Sequence, residues 1–500
     1  MRRLSTIVLA FVAVLLALAP SASAARRAAF TAPVKLTGAG AGEPSIVTDP
    51  FGDVFVASPQ GVPAVAGGTT GTGLWVSRND GASFATGRRI GSYVGGGDDD
   101  IIYSNGTLYT ADLEAAATEV CKSTNRGQTF DSIGPLPDPA HCGGVGIGQA
   151  GPSDDRPWLT ADGHGTLYLT YHEFVTGQPL IFRSDDGGRD LFTGLCGGIV
   201  SDPAVEGNVL TSSGTLVARP VVDKAGSLYV LFATSTEQQT LTALGQGQLQ
   251  GSFSQLYLAV SHDHCKSFTD YTVFDGSRRG NNTVQFGDIF NDLAIDGAGN
   301  LYAIGTGFVG SQPFATKSNA YLFSSSDHGR NWRGPILIGD AGSGHVLPAA
   351  VGGPRAGQLA IGYFQTINGV TDPNSLNGKW TYATAESTNA TAATPSFVYR
   401  AVNPGFVYHN GQICTAGILC GLIPGGPSDR TLLDFTSAAL DSRACALFTF
   451  AGNPTGTPTT NDQTNTFNYV TRQLVGCFGP SASNRAHHRR HHRHRRHRRR

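Results

Sequence analysis

Charged side chains that can bind an anion or transfer a proton stand at the start of seven short hydrophobic segments of the 500-residue chain. The guanidinium of arginine presents a planar fork of N–H donors that fits a carboxylate, and carboxyl groups serve as general acids and bases. If the segments are neighbouring strands, these side chains surround one site. They are Glu43, Asp98-Asp99-Asp100, Asp155-Arg156, Arg219, Asn291-Asp292, His345 and Asp429-Arg430.

Each of these segments begins a repeated module of a short strand, a polar turn and a second strand. Examples are "PSIVTDPFGDVFVA" and "RPVVDKAGSLYVLF". Short runs of Val, Ile, Leu, Tyr and Phe between Gly, Asp and Asn turns predict an all-β protein. Glycine, which adopts a positive φ without steric cost, stands in six of the turns: Gly52, Gly106, Gly165, Gly226, Gly299 and Gly357.

A second motif, Ser-x-Asp/Asn-x-Gly-x-x-aromatic, alternates with the first. The serine hydroxyl and the Asp or Asn side chain can hydrogen-bond to the backbone of their own turn, and the aromatic ring can enter the core as the next strand begins. The motif therefore predicts tight β-hairpins rather than catalysis. Its five copies, of which the fourth has Cys265 in place of glycine, are residues 77–84, 123–130, 184–191, 261–268 and 325–332.

The two modules combine into a unit of four strands. Five units are complete, the sixth has a degenerate second half, and the seventh lacks a clear last strand. The segment "AAFTAPVKLTG", residues 28–38, can supply that strand and close a ring, which would remove exposed sheet edges. We therefore predict a β-propeller with seven blades, and six blades are the alternative.

The predicted ring has two different faces. Short turns lie on one side, called the hairpin face: the turns inside the first module and the five octapeptide motifs. The other side, called the loop face, carries long connections such as residues 133–154 and 402–429. Long loops on a rigid scaffold predict that the loop face carries the function.

The five motif copies resemble the Asp-box (BNR) repeats of the sialidase-like propeller superfamily. The resemblance covers about residues 28–478. It implies a propeller that acts on extracellular glycans as a sialidase or another glycosidase, or a member of the superfamily without a known reaction. Function inferred in this way is an analogy from the fold.

The resemblance also implies roles for individual residues. Arg156, Arg219 and Arg430 would clamp a substrate carboxylate, and one of Asp98, Asp99 or Asp100 would transfer the proton. Tyr171 and Glu173 would be the nucleophile and its base, and the remaining substrate-binding residues would be Asp155, Asp292 and Glu43.

The chain departs from the family pattern on its first blade. The Phe-Arg-Ile-Pro signature is replaced by "GEPSIV", with Glu43 where arginine is expected, and Arg-Pro occurs on the third and fourth blades instead. The alternative is that these charged residues, which would surround the loop-face mouth of the propeller's central channel, are solvated or pair with each other. Two functions follow: a propeller directed at acidic glycans, which as an enzyme would be an exo-glycosidase, or a non-catalytic extracellular scaffold. Three arginines around one carboxylate would favour the first, and arginines in bridges to protein carboxylates the second.

The beginning of the chain predicts secretion. Residues 1–24 have a basic start, an apolar core and the small-residue site Ala22-Ser23-Ala24, which is typical of a signal peptide. The eight cysteines predict disulfides, with Cys414–Cys420, Cys121–Cys142 and Cys445–Cys477 as plausible local pairs. We expect a monomeric propeller over residues 28–478, without a membrane span, a cofactor or a metal.

Residues 479–500 are predicted to be a disordered basic tail. Nine Arg and six His lie between Arg485 and Arg500, where the arginines repel each other and a single Ala is the one apolar residue. Such a tail is attracted to an anionic surface or polymer, more strongly as histidines gain charge below about pH 6.5. The alternative is a low-complexity extension without a selected partner.

Removal of residues 485–500 is expected to leave folding intact and to lower retention on an anionic surface at low salt. The positive charges of the tail attract an anionic surface, and this attraction is screened by salt and strengthened when the histidines are protonated. Retention of the full and truncated proteins on an anionic resin checks this, and equal retention at low salt would refute it.

Overall fold

The computed structural model of the protein describes sixteen parts of the chain: residues 28–38, 42–59, 72–90, 98–114, 117–132, 154–173, 179–188, 194–198, 215–234, 254–276, 284–285, 290–309, 317–415, 420, 429–456 and 465–479.

The described residues form seven antiparallel sheets, each of which is one blade. Two short strands, β1 (Ala29–Phe30) and β2 (Val34–Lys35), precede the first blade. Blade 1 contains β3 (Ser45–Thr48), β4 (Val54–Pro59), β5 (Thr72–Ser77) and β6 (Arg88–Ile90). Blade 2 contains β7 (Asp99–Ser104), β8 (Thr107–Glu114), β9 (Ala117–Ser123) and β10 (Asp131–Ser132).

Blades 3 and 4 differ in the number of their strands. Blade 3 contains β11 (Asp154–Ala161), β12 (Leu167–Glu173) and β13 (Pro179–Ser184). The innermost strand of blade 4 is divided at the Ala218–Pro220 step into β14 (Thr215–Val217) and β15 (Val221–Val222). It pairs with β16 (Leu228–Thr234), which is followed by β17 (Gln255–Ser261) and β18 (Thr269–Asp275).

The last three blades complete the ring. Blade 5 contains β19 (Val284–Gln285), β20 (Asp292–Ile295), β21 (Leu301–Val309), β22 (Asn319–Ser325) and β23 (Arg333–Ile338). Blade 6 contains β24 (His345–Gly352), β25 (Leu359–Thr366), β26 (Lys379–Ser387), β27 (Val398–Ala401) and β28 (His409–Asn410). Blade 7 contains β29 (Ser437–Leu440), β30 (Ala446–Gly452) and β31 (Phe467–Val475).

The ring closes as the sequence predicts. Strands β1 and β2 both pair with β31, so the start of the chain completes the last blade. The innermost strands β3, β7, β11, β15, β20, β24 and β29 each contact the next, and β29 contacts β3. The seven-bladed β-propeller is confirmed, and the six-bladed alternative is wrong.

Apolar side chains fill the space between adjacent blades. Phe55 and Ala57 of blade 1 pack with Ile101 and Leu108 of blade 2, and Trp158 of blade 3 packs against residues of blade 4. Comparable clusters join blades 2 and 3, and 5 and 6. Burial on both faces explains why the strands consist of short continuous hydrophobic runs.

The five octapeptide motifs fold as the predicted hairpin turns. In the motif that begins at Ser325, the serine hydroxyl donates to Asp327 Oδ1 at 2.8 Å and accepts the Gly329 N–H at 2.9 Å. The same two bonds recur in the four other copies. The backbone N–H of Asp80 also bonds the Gly52 carbonyl, which places a motif beside a first-module turn on the hairpin face.

Disulfides reinforce blade 4 and the end of the chain. Cys265, which occupies the glycine position of its motif with φ 66°, bonds Cys196 beside blade 3. The predicted pairs Cys414–Cys420 and Cys445–Cys477 are both present. The predicted partner of Cys121, residue 142, lies outside the described residues. Disulfides persist in oxidising compartments, so these three fit secretion.

Two predicted parts of the chain lie outside the described residues: the leader, residues 1–24, and the tail from residue 480 onward. Their assignments stay predictions. Across the ranges that the structure does describe, no helix is long and apolar enough to cross a membrane.

Deletion of residues 28–38 is expected to destabilise the propeller strongly. It removes both closing strands, the buried Leu36 and the carbonyl of Thr37 that accepts the Trp75 indole N–H at 2.7 Å. Loss of one buried leucine side chain alone costs about 2–5 kcal/mol. Thermal unfolding checks this with the 485–500 deletion as the control, and an unchanged Tm would contradict the closure.

Candidate functional site

The loop-face mouth of the channel is bridged by Arg219, which the divided inner strand of blade 4 presents. Its guanidinium donates to Ser437 Oγ of blade 7 and Ser45 Oγ of blade 1, both at 3.0 Å, and to Asp100 Oδ1 of blade 2 at 2.7 Å. The other oxygen of Asp100 accepts the Leu159 N–H of blade 3 at 2.9 Å. One ion pair therefore joins the inner strands of five blades.

A second cluster of charges lies beside this bridge. Arg430 Nη2 is 2.7 Å from Asp434 Oδ2 and 3.8 Å from Glu43 Oε1. Arg156 Nη2 is 4.0 Å from the same oxygen of Asp434, and its Nε is 3.9 Å from Asp155 Oδ2. The two arginines thus share a carboxylate that belongs to the protein.

Aromatic rings support two of the guanidiniums. The Arg219 guanidinium carbon lies 4.8 Å from the ring centre of Trp158, and that of Arg156 lies 4.4 Å from the ring centre of Phe290. Cation–π contact holds both groups in position, together with hydrogen bonds at Arg219 and ion-pair contacts at Arg156.

Backbone irregularities aim the charged side chains at the mouth. Glu43 and Arg156 have φ values of 45° and 56°, in the left-handed region that non-glycine residues rarely adopt. Strand β11 also contains a bulge between Asp155 and Trp158. A bulge turns a side chain away from the direction that regular alternation would give it, and strain of this kind is concentrated at functional sites.

Two carboxyl groups at the mouth contact each other. Burial, followed by the charges of Asp98 and Asp434, raises the pKa of Glu43 well above its usual range, and Glu43 and Asp98 share a hydrogen bond. Burial also raises the pKa of Asp98, although Glu43 and Arg156 oppose the shift. A carboxyl–carboxyl hydrogen bond requires one proton, so this pair holds a proton that can be transferred.

Two further carboxyl groups titrate above their usual range. Burial and the charge of Asp98 raise the pKa of Asp155 to about 8, against the lowering effect of Arg156. Burial raises the pKa of Asp292 to about 6, against Arg219. Groups that titrate near neutral pH are suited to general acid–base chemistry.

Two cavities lie at opposite ends of the channel. One of about 30 Å³ lies at the loop-face mouth between Arg156, Arg219 and Asp292. One of about 570 Å³ lies at the hairpin face among the turns of blades 4 to 7. The carboxylates that line the larger cavity hold their own turns: Asp223 Oδ1, for example, accepts backbone N–H groups at 2.8 and 2.9 Å.

The three consecutive aspartates have different surroundings, because alternate residues of a strand face opposite ways. Asp98 and Asp100 belong to the mouth. Asp99 accepts the Thr72 hydroxyl at 2.8 Å, and burial followed by Asp112 raises its pKa well above the usual range. The structure therefore brings Asp98 and Asp100 to the arginines and places Asp99 between strands of blades 1 and 2.

The predicted nucleophile lies in the core. Tyr171 is fully buried, and its ring stacks on Phe182 with the centroids 5.6 Å apart. The backbone of Glu173 pairs with Asp154 at the loop-face end of blade 3, and its side chain is outside the described set. The roles of Tyr171 and Glu173 stay predictions.

Several residues of the mouth were not selected from the sequence. Asp434, Ser45 and Ser437 bind the arginines directly, and Trp158 and Phe290 support them. One signal was available, because Asp434 follows Arg430 by four residues in the module already recognised. Nothing in their local sequence distinguishes the two serines from the other serines of the chain.

A metal site is not apparent in this part of the molecule. Among the described residues, no three His, Cys, Asp or Glu side chains come together in a way that could hold a metal ion.

Comparisons with known proteins show the fold. No protein-family model and no curated protein sequence matches the chain. An ulvan lyase of polysaccharide lyase family 25, solved bound to -[GlcA(1-4)Rha3S]-, is 9% identical, with a TM-score of 0.51 over 90% of this chain and 98% of that one.

Two further solved structures are more distant. The α-L-arabinofuranosidase Arb93A from Fusarium graminearum is 11% identical, with a TM-score of 0.44 over 89% of this chain and 98% of that one. The Hadza microbial sialidase Hz136 is 12% identical, with a TM-score of 0.40 over 82% of this chain and 74% of that one.

The raised pKa of Asp155 predicts how stability depends on pH. Between about pH 4 and pH 8 the folded protein holds a proton on Asp155 that the unfolded chain has released, so the free energy of unfolding falls as pH rises through this window. Asp155→Asn cannot titrate, and it is expected to reduce the fall in Tm between the two ends of the window.

Asp263→Asn is the matched control. A hydrogen bond from Ser267 lowers the pKa of Asp263, so its titration is complete below the window. Thermal unfolding across the window should show the wild-type slope in this control. A wild-type slope in Asp155→Asn as well would show that Asp155 titrates normally.

Proposed function

We propose that the protein is a secreted, glycan-directed propeller that hydrolyses a glycosidic bond at its loop-face mouth. The observation that carries the proposal is the hydrogen-bonded Glu43–Asp98 pair, which holds a proton beside the guanidiniums of Arg156 and Arg430. Glycosidic hydrolysis needs a carboxylic acid that is still protonated at the working pH and a second carboxylate. Burial and charged neighbours at the mouth provide both a protonated carboxyl group and a carboxylate.

In this proposal Glu43 holds the shared proton and donates it to Asp98, and Asp98 passes a proton to the leaving oxygen, which leaves the pair fully ionised. The proton-transfer role predicted for one of Asp98, Asp99 or Asp100 is thereby assigned to Asp98, because Asp99 faces another blade and Asp100 pairs with Arg219. Arg430 lies 3.8 Å from Glu43, and Arg430 and Arg156 are themselves paired with Asp434 and Asp155. The fold is compatible with such work, since the ulvan lyase that shares it was solved with a bound saccharide.

A more specific function, an exo-sialidase that clamps the carboxylate of an acidic sugar, requires the arginines to exchange protein carboxylates for that of the substrate. Each of the three guanidiniums contacts a carboxylate of the protein: Arg219 contacts Asp100, and Arg156 and Arg430 contact Asp434. An acidic substrate would have to displace these contacts or add to them. Sialosides and uronides are therefore included in the test beside neutral sugars.

The same ion pairs favour a second candidate, a non-catalytic propeller that binds glycan or protein. Buried ion pairs between inner strands hold a scaffold in register, and the mouth cavity is too small for a sugar ring without movement of its rim. In this case the raised pKa values belong to a structural network.

The test is turnover of fluorogenic aryl glycosides, including sialosides, glucuronides, arabinofuranosides and neutral hexosides, by the wild type and by Asp98→Asn and Glu43→Gln. We expect turnover of at least one class and a fall in kcat of about 100-fold or more in Asp98→Asn, the usual contribution of a general acid. Glu386→Gln is the control, because this buried carboxyl bonds Gln473 in another part of the ring.

Two results would contradict the proposal. Wild-type activity that survives in Asp98→Asn would remove the proton-transfer role. Inactivity towards every class, together with binding on a glycan array, would establish the non-catalytic alternative.

A further inference from the structure

The small cavity at the loop-face mouth is lined by both charged and aromatic groups. Its volume is about 30 Å³, and its walls include Arg156, Trp158, Arg219, Phe290, Asn291 and Asp292. A water molecule needs about 10–15 Å³ on this scale, so the cavity has room for one or two waters but not for a sugar.

Three polar atoms of the lining residues lack a protein partner. The amide nitrogen and oxygen of Asn291 and the Nε of Arg219 are buried and make no hydrogen bond to a described residue. Leaving such groups unsatisfied costs about 1–3 kcal/mol each, so native structures pair them with protein or with water. One water can accept from Arg219 and the Asn291 nitrogen and donate to the Asn291 oxygen.

Asp292 lies in the same wall with its carboxylate held firmly. Its two oxygens accept the Leu293 N–H at 2.9 Å and the Ala350 N–H at 2.7 Å, one each, so both oxygens retain a lone pair. The first bond is within β20 of blade 5, and the second comes from β24 of blade 6. The carboxylate is thus fixed between two blades while it faces the cavity.

We propose that this cavity holds the hydrolytic water and that Asp292 is the general base that activates it. The role rests on the proposed function. The water oxygen forms a bond to the anomeric carbon and its proton passes to Asp292, while the glycosidic C–O bond breaks and the leaving oxygen takes, through Asp98, the proton that the Glu43–Asp98 pair shares. Arg219 and Asn291 orient the water.

The assignment changes the role of Asp292 and predicts the stereochemistry. The sequence suggested that Asp292 binds substrate, whereas here it accepts a proton from water. A separate acid and base with a water between the base and the sugar give an inverting mechanism. At neutral pH the titration of Asp292 near pH 6 leaves the base mostly ionised, and acid removes it.

The first part of the test concerns the site and does not depend on activity. A high-resolution crystal structure of the wild type should show a water within hydrogen-bonding distance of the Asn291 amide and Arg219 Nε. Asn291→Leu, which removes both amide partners at similar volume, should lose it. A dry wild-type cavity would overturn the inference.

The second part concerns the base. Asp292→Asn should lower kcat about 100-fold or more, change KM little and remove the acid limb of the pH–rate profile, and wild-type product should have inverted configuration by NMR. Azide should restore turnover to Asp292→Ala as a substitute nucleophile that needs no base. Retained configuration, or an unchanged acid limb in Asp292→Asn, would overturn the role of Asp292.

The two proposals fail in different ways. Inactivity of the wild type towards all glycosides would end the proposed function and the role of the base together, whereas the water density is decided by the crystal structure alone. Normal activity of Asp292→Asn with loss of activity in Asp98→Asn would overturn only the inference.

Discussion

The Arg219–Asp100 ion pair is the interaction on which the mouth of the propeller depends. It crosses the channel and, with the hydroxyls of Ser45 and Ser437, ties blade 4 to blades 7, 1 and 2. A buried pair of this kind costs several kcal/mol of desolvation per ion and is stable only when its remaining donors and acceptors are satisfied. The two serines and the Leu159 N–H meet that requirement for Asp100 and for the Nη atoms of Arg219, while Arg219 Nε has no partner among the described residues.

An excess of carboxyl groups over guanidiniums follows from this arrangement and governs the chemistry. Among the described residues of the mouth, three arginines are accompanied by six carboxyl groups: Glu43, Asp98, Asp100, Asp155, Asp292 and Asp434. Such a surplus cannot be fully ionised in a buried site, because like charges at short range raise each other's pKa. Some carboxyl groups of the mouth are therefore protonated near neutral pH, and this property connects the architecture with acid–base function.

The sequence predicted the architecture because its signals are local and repeated. Motifs such as Ser325-x-Asp327-x-Gly329 form their hydrogen bonds within a few residues, and turn glycines such as Gly299 mark each first module. Seven copies of one module are compatible with few arrangements other than a ring. The closing strand was predictable from the blade that lacked one.

The partners of the mouth residues were less predictable, since they come from different blades. Ring closure brings Arg219 to Ser437, 218 residues away, and no local pattern encodes that pairing. The directions of Asp98 and Asp99 depend on strand register, and those of Glu43 and Arg156 on backbone conformations with positive φ. The sequence left open whether the arginines would bind a substrate or pair with carboxyl groups of the protein, and the structure shows each guanidinium in contact with such a carboxylate.

Infrared spectroscopy at neutral pH tests most directly whether carboxyl groups of the mouth are protonated. The wild type is expected to show the carbonyl stretch of protonated carboxyl groups, reduced in Asp155→Asn and in Glu43→Gln and unchanged in Asp263→Asn, because the pKa of Asp263 is lowered. A wild-type spectrum with ionised carboxylates alone would contradict the account.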